Sequence, residues 1–408
     1  MCEGDWDGKL DVLLVGGGMI SLEVIIPTLF QERREGRIGN IAISSLDGKS
    51  MQRVRDEFPG DEFTSYPDPA KVDDLAKPYP DMFKEGMDKL DPENGLVIVA
   101  TPDHLHTPII MEAIDRGLDI VCEKPLCLKV EEAHKIQKAA REKGIYVYTD
   151  YHKRHDRACR AARYRYRKGD LGQMLHGHAW IEEKKEMPLK NFAVWAGESS
   201  SFEYIGVHYA DIYYYVTGLM PKRLVAFAQK KFLPTKGKDV WDAVQAAIEW
   251  EDGSVFWIQT SWVLPQSNSS LTNQGLQLTG TKGEHKADHK DRNCYFITDD
   301  APFEHYNPNF YKAYDSWDHD GEVDWTGYGY DSIVQGIDDI RDIKAEVMGL
   351  DAKQALARRM ELLDKYEEIR PLPTQALVGT AINEAVRLSF ENESRWVEFD
   401  GDLYPRLT

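Results

Sequence analysis

The 408-residue chain has no apolar run near the ~18 residues that a membrane-crossing helix needs, so a helical span is excluded at the outset. Cysteine is scarce. The five present (Cys2, Cys122, Cys127, Cys159, Cys294) are odd in number and scattered, which argues against a disulfide framework and fits reduced thiols in a cytoplasm. Cys122 and Cys127 have no second pair or nearby His to complete a zinc pattern, and no metal is expected. Basic charge is also in deficit: 50 Lys and Arg against 69 Asp and Glu give a formal net charge of -19. Such a chain repels a phosphate polyanion, so nucleic acid is not an expected partner. The one basic cluster, from Lys153 to Lys168, reads as a solvated helix face or an internal ion-pair network. The opening MCEGDWDGKL lacks a basic n-region and an apolar h-region, and no secretory signal is expected.

The apolar content that is present, 42%, is arranged as short buried strands alternating with helices, enough for two domains. Leu10 to Val15 is apolar, breaks at Gly16-Gly17-Gly18 and resumes as a helical pattern from Ile20 to Phe30. Strand, glycine turn and helix are the context a dinucleotide fingerprint requires. Gly16 makes the tight turn, Gly18 admits the pyrophosphate to the backbone, and Met19 and Ile20 open a helix whose N–H groups and dipole favour it. Ser21 stands where the third glycine would. The second strand, Asn40 to Ser44, ends at Ser45 where an acid would hold the ribose of NAD, with Asp47 two residues on and Lys49 beyond. NAD is the expected cofactor, with NADP left open.

Two further strands carry the most heavily functionalised ends. Val97 to Ala100 stops at Thr101-Pro102 in the run ATPDHLHTP, and Asp119 to Cys122 runs into Glu123-Lys124-Pro125. Ligands in open α/β sheets bind outside the carboxyl ends of the strands, so Lys124 is placed where a substrate hydroxyl can lie. With its glycine turn, ATPDHLHTP and EKP, the chain resembles the glucose-fructose oxidoreductase / inositol dehydrogenase / MocA family of nicotinamide-dependent sugar and cyclitol dehydrogenases. The resemblance implies a Rossmann domain at 1–151, followed by an α/β domain at 152–408 with a large open, mainly antiparallel sheet. It also implies a homodimer or homotetramer formed through that sheet. By the same implication, Thr101, Pro102, His104, His106, Glu123, Lys124, His152 and Arg154 line the cofactor beside Ser45 and Asp47.

In the second domain, Met174 to Glu183, Arg223 to Phe232, Ala243 to Glu251, Ser254 to Leu264 and Gly275 to Gly280 read as strands, with Asp252-Gly253 a type I′ hairpin turn. Phe202 to Gly218 reads as a helix with two stripes. Ile205, Tyr209, Ile212 and Val216 look like core; Tyr204, His208, Asp211 and Tyr215 look like a working face. The family's acid/base histidine falls on His208. Its customary Asp four residues earlier is Tyr204 here, so either Tyr204 positions substrate or Asp211 orients the imidazole. Glu182 to Trp195 reads as an aromatic loop over a sugar site and Asp288 to Tyr330 as a long insertion. Three helices (332–347, 352–369 and 374–390) close the chain, the last expected to return to the Rossmann domain, followed by a short strand from Arg395 to Phe399.

The expected function is oxidation of a secondary hydroxyl on a sugar, glycoside or cyclitol, with hydride passing to nicotinamide. Lys124 would stabilise the alkoxide and His208 would act as base. A redox-neutral glycosidase of the same family, working by oxidation and elimination, is one alternative. A non-catalytic dinucleotide-binding sensor is another.

Overall fold

The computed structural model describes residues 7–300 and 303–408. They form two compact units. The first comprises the chain up to Leu126, Glu132–Asp150 and Ala313–Gln375; the second comprises Cys127–Glu131, Tyr151–Lys312 and Ala376–Thr408. This division differs from a single crossing at residue 151, because the chain re-enters the first unit after residue 312 and leaves it again at the start of the last long helix.

In the first unit β1 (Leu10–Val15), β2 (Ile38–Ser44), β3 (Thr64–Tyr66), β4 (Gly95–Val99), β5 (Asp119–Glu123) and β6 (Val147–Asp150) form a six-stranded sheet in the order β3-β2-β1-β4-β5-β6. Every pairing is parallel. Each residue of β4, β5 and β6 is buried, as expected of parallel strands covered on both faces. The order reverses between β1 and β4, which opens the switch-point crevice at their carboxyl ends. The helices are a π-helical turn Ser21–Ile25 running into α1 (Ile26–Arg34), then α2 (Gly48–Glu57), α3 (Met82–Met87), α4 (His106–Asp115) and α5 (Val130–Lys143). The short β3 lies in the Asp- and Pro-rich stretch that reads as irregular, too brief to leave a periodic signal.

The second unit holds α6 (Arg157–Arg167), β7 (Met174–Lys184), α7 (Val207–Thr217), β8 (Pro221–Gln229), β9 (Ala243–Trp250), β10 (Val255–Leu264), β11 (Thr272–Gly280) and β12 (Glu284–Asp288). With β17 (Val397–Phe399) and β18 (Pro405–Leu407), the strands form an eight-stranded sheet, β12-β11-β7-β10-β9-β8-β17-β18. Its pairings are antiparallel except that of β7 with β10. The β9–β10 turn departs from type I′: Gly253 alone has positive φ, at 83°, and Trp250 N–H donates to Ser254 O at 2.9 Å. A three-residue loop ending in a left-handed glycine is therefore the hairpin used. The 288–330 region contains two small hairpins, β13 (Tyr295–Phe296) with β14 (Glu304–His305) and β15 (Lys312–Asp315) with β16 (Val323–Thr326). Among the described residues no helix is long and apolar enough to cross a membrane.

The helices α8 (Tyr328–Val347) and α9 (Ala352–Glu367) belong to the first unit, and α10 (Pro373–Glu391) lies mostly in the second. In place of a Cβ on Gly336, α8 meets Val121 Cγ2 at 2.7 Å from the position such an atom would occupy, so only glycine lets the helix lie this close to β5. Asp119, fully buried at the start of β5, accepts from Tyr146 N–H at 3.0 Å and pairs with Lys344 at 3.1 Å and with Arg359. Burial alone would raise the pKa of its carboxyl, but Arg359 and Lys344 outweigh burial and leave it lowered. The stability so contributed is present above the ordinary carboxylate range and lost as the pH falls through the lowered folded value. Asp119→Ala strands two buried cations and should cost ~3–5 kcal/mol in a urea titration at neutral pH. A cost under ~1 kcal/mol would reduce the cluster to the rank of a surface bridge.

Candidate active site

In the first unit the expected cofactor residues gather at the carboxyl ends of β1, β2, β4 and β5. Gly16 has φ 129°, and a Cβ there would fall 2.1 Å from Ala100 O, so glycine is required for the β1 turn to pass the β4 turn. Gly18 meets nothing within 4 Å; its backbone borders open space as Met19 and Ile20 begin the helix. The Thr101 hydroxyl is buried without a hydrogen-bond partner. An open glycine cradle, a helix start and a spare hydroxyl are what a dinucleotide pyrophosphate needs, so the residues present fit NAD. Ser45 sits against the glycine turn, its Oγ 2.9 Å from where a Gly17 Cβ would be. Asp47 caps α2, accepting from Ser50 N–H at 2.8 Å, so that oxygen serves the helix and not a ribose.

His104 is exposed, whereas His106 is fully buried and bridges two carbonyls: Nδ1 lies 2.8 Å from Pro125 O and Nε2 2.9 Å from Thr101 O. Burial lowers its pKa against those two hydrogen bonds. Its ring ties the β4 turn to the EKP turn. Glu123 and Lys124 end β5, both 7% exposed. Burial, then the neighbouring Asp150, raises Glu123 to about 8, and burial raises Asp150 to about 7. Asp150 is a charged residue at the end of the buried strand β6.

In the second unit the His152 and His208 rings lie 4.6 Å apart between centroids, with Phe310 5.5 Å from His152. The expected Tyr204/His208/Asp211/Tyr215 face is broken up. Residues Phe202–Gly206 form a π-helical turn before α7, held by Glu203 to Arg387 Nε at 2.6 Å, and the wider turn upsets the i, i+4 register. The Tyr204 ring instead joins Phe192 at 4.7 Å, Trp195 at 5.3 Å and Trp262 at 6.4 Å. Asp211 does not serve the imidazole as an orienter: it takes Arg154 Nε at 2.8 Å and Nη2 at 2.6 Å, the two side chains 2% and 5% exposed. Burial would lower the Arg154 pKa, but Asp211 reverses this and leaves it raised. Arg154 is thus committed to α7, with Tyr215 stacked 5.3 Å from its guanidinium.

Sequence reading also missed a buried convergence of Asp156, Cys159 and His289, whose ligand atoms lie within 4.8 Å of one another. The Arg292 guanidinium already pairs with Asp156, and Lys153 and Arg292 both act on His289, so two cations oppose a metal ion there.

A family model described as "Oxidoreductase family, NAD-binding Rossmann fold" matches residues 10–151, and one described as "GFO/IDH/MocA C-terminal domain" matches residues 159–286. The chain belongs to the Gfo/Idh/MocA family of oxidoreductases. It is 28% identical over 209 residues to the 1,5-anhydro-D-fructose reductase of Ensifer adhaerens, covering 47% of this chain and 56% of that one. It is 23% identical over 258 residues to a 2,7-anhydro-N-acetylneuraminate hydratase of Mediterraneibacter gnavus, covering 59% and 64%. The matches thus span under two thirds of those relatives' own lengths. The solved myo-inositol 2-dehydrogenase from Lactobacillus plantarum superposes with a TM-score of 0.67 at 14% identity, covering 96% of this chain and 100% of that one, a likeness of fold.

Asp211→Ala leaves a buried guanidinium unpaired and should cost ~3–5 kcal/mol of stability, measured by chemical denaturation. An unchanged denaturation midpoint with a displaced pH–rate profile would return Asp211 to the role of imidazole orienter.

Proposed function

We propose that the protein oxidises a secondary hydroxyl of a sugar, glycoside or cyclitol, with NAD as hydride acceptor. The observation that carries this reading is Lys124 at the carboxyl end of β5, in the same unit as the open glycine cradle of Gly16 and Gly18. NAD, when bound, supplies the nicotinamide ring that takes up hydride. Gly16, Gly18, Met19 and Ile20 would receive its pyrophosphate, Thr101 and Pro102 would border it, and Ser45 would face its ribose. The Lys124 ammonium stabilises negative charge growing on the substrate oxygen. His208 takes the hydroxyl proton, with the His152 ring against it. Tyr204 stiffens an aromatic wall that suits the apolar face of a pyranose or cyclitol.

A redox-neutral course, in which hydride returns to an oxidised intermediate after elimination, is the second reading. It is favoured by the hydratase among the relatives and would release product without net cofactor reduction. Cys122, Cys127 and Cys159, buried as thiols, support a cytoplasmic setting. The open face of the second sheet, with Phe227 42% and Val255 41% exposed, supports a homodimer or homotetramer.

Lys124→Ala should lower turnover about a hundredfold to a thousandfold while sparing cofactor affinity; poor cofactor binding with intact turnover would make Lys124 a cofactor ligand instead. His208→Ala should remove the acid limb of the pH–rate profile, and retention of that limb would assign the base elsewhere. Because Ser45 offers the ribose no carboxylate, NAD should be preferred over NADP only modestly. Ser45→Asp should widen that preference by at least about tenfold in a binding titration. An unchanged ratio would place the ribose away from residue 45.

A further inference from the structure

The parallel register sets Glu123 on β5 directly beside Asp150 on β6. Both are buried, at 7% and 3% exposure, with carboxyl oxygens within 4.8 Å. Two ionised carboxylates this close in a buried site repel each other strongly, which favours one of them keeping its proton. Asp150 Oδ1 is also buried with no partner, which an ionised carboxylate tolerates poorly. Lys124 acts on both carboxyls. From α8 comes the Ser332 hydroxyl, which donates to Gly329 O at 3.2 Å and acts on Asp150; from β4 comes Val99, which does not ionise. His152 follows two residues after Asp150 in the chain.

We propose that Glu123 and Asp150 hold a single proton between them and act as a charge-setting pair behind Lys124, Asp150 being a positioning residue for the reaction. With one proton, the pair carries one negative charge and Lys124 balances it, leaving this strand edge neutral. Loss of the proton breaks the carboxyl O–H bond and releases H⁺ to solvent. The pair then carries two negative charges, which compete with the substrate oxygen for the Lys124 ammonium and oppose an alkoxide forming beside it. The role in turnover rests on the dehydrogenase reading of Lys124; the shared proton does not.

Infrared difference spectra of the cofactor-free protein, taken across the pH range that brackets about 7 and about 8, separate the two. One protonated-carboxyl band should be present at the acid end and vanish at the alkaline end. It should persist in His152→Gln and be absent throughout from Asp150→Asn and from Glu123→Gln, where an amide donor replaces the shared proton. Absence of the band from the wild type overturns the proposal even if a variant fails to fold, as does a band that survives either carboxamide substitution. In turnover, the wild-type rate should fall on the alkaline side through the same ionisation, and Asp150→Asn should lose that limb. An infrared band without this limb overturns the charge-setting role alone. A protein that oxidises no polyol but shows the band would count against the dehydrogenase reading and leave the shared proton standing.

Discussion

A parallel sheet delivers all its strand ends to one edge, and that constraint governs the chemistry available in the first unit. Because β1, β4, β5 and β6 run the same way, the glycine turn, the Thr101 turn, Lys124 and Asp150 emerge on a common rim. Glu123, Lys124 and Asp150 are buried on this rim, so their polar groups lose water without gaining an apolar partner. Each must find a hydrogen bond, a counter-charge or a proton. His106 finds two carbonyls, Asp150 lies within 4.8 Å of the Glu123 carboxyl, and the Thr101 hydroxyl is left with capacity for a ligand.

The second unit solves a related problem with a different device. Its helix α7 carries an unusual load of polar and aromatic side chains for a buried element, and most are satisfied locally. Asp211 closes on Arg154, Tyr213 shares a hydrogen bond of 2.7 Å with Ser254, and Tyr209 meets His289 Nδ1 at 2.9 Å. What persists as candidate chemistry is the His152–His208 pair of rings beside Phe310. A histidine held among aromatic faces has few ways to turn, which favours a fixed proton acceptor over a mobile surface group.

Much of this was readable in the chain. Continuous apolar runs gave the parallel strands, and the glycine turn and EKP lie at the strand ends where they were read, because each depends on residues close in sequence. The elements that misled depend on distant partners. The π-helical turn before His208 is fixed by Glu203 reaching Arg387, 184 positions away, and no local period reports it. Helices α8 and α9 return to the first unit because Asp119 needs Lys344 and Arg359, a requirement visible only once β5 is known to be buried. The pairing of Glu123 with Asp150 needs the register of two strands separated by a whole helix. Periodicity tells which face of an element is buried; it does not tell which charged group waits there.

The central claim is that a carbinol hydrogen of a polyol leaves as hydride to a dinucleotide held on the glycine turn. It is tested most directly by incubating the protein with NAD and a panel of sugars, glycosides and inositols deuterated at their ring carbinol carbons, then analysing the nicotinamide by mass spectrometry. Deuterium on the reduced ring, transferred from at least one member of the panel, is the result this account requires. A protein that binds NAD and every candidate polyol yet moves no label would contradict it.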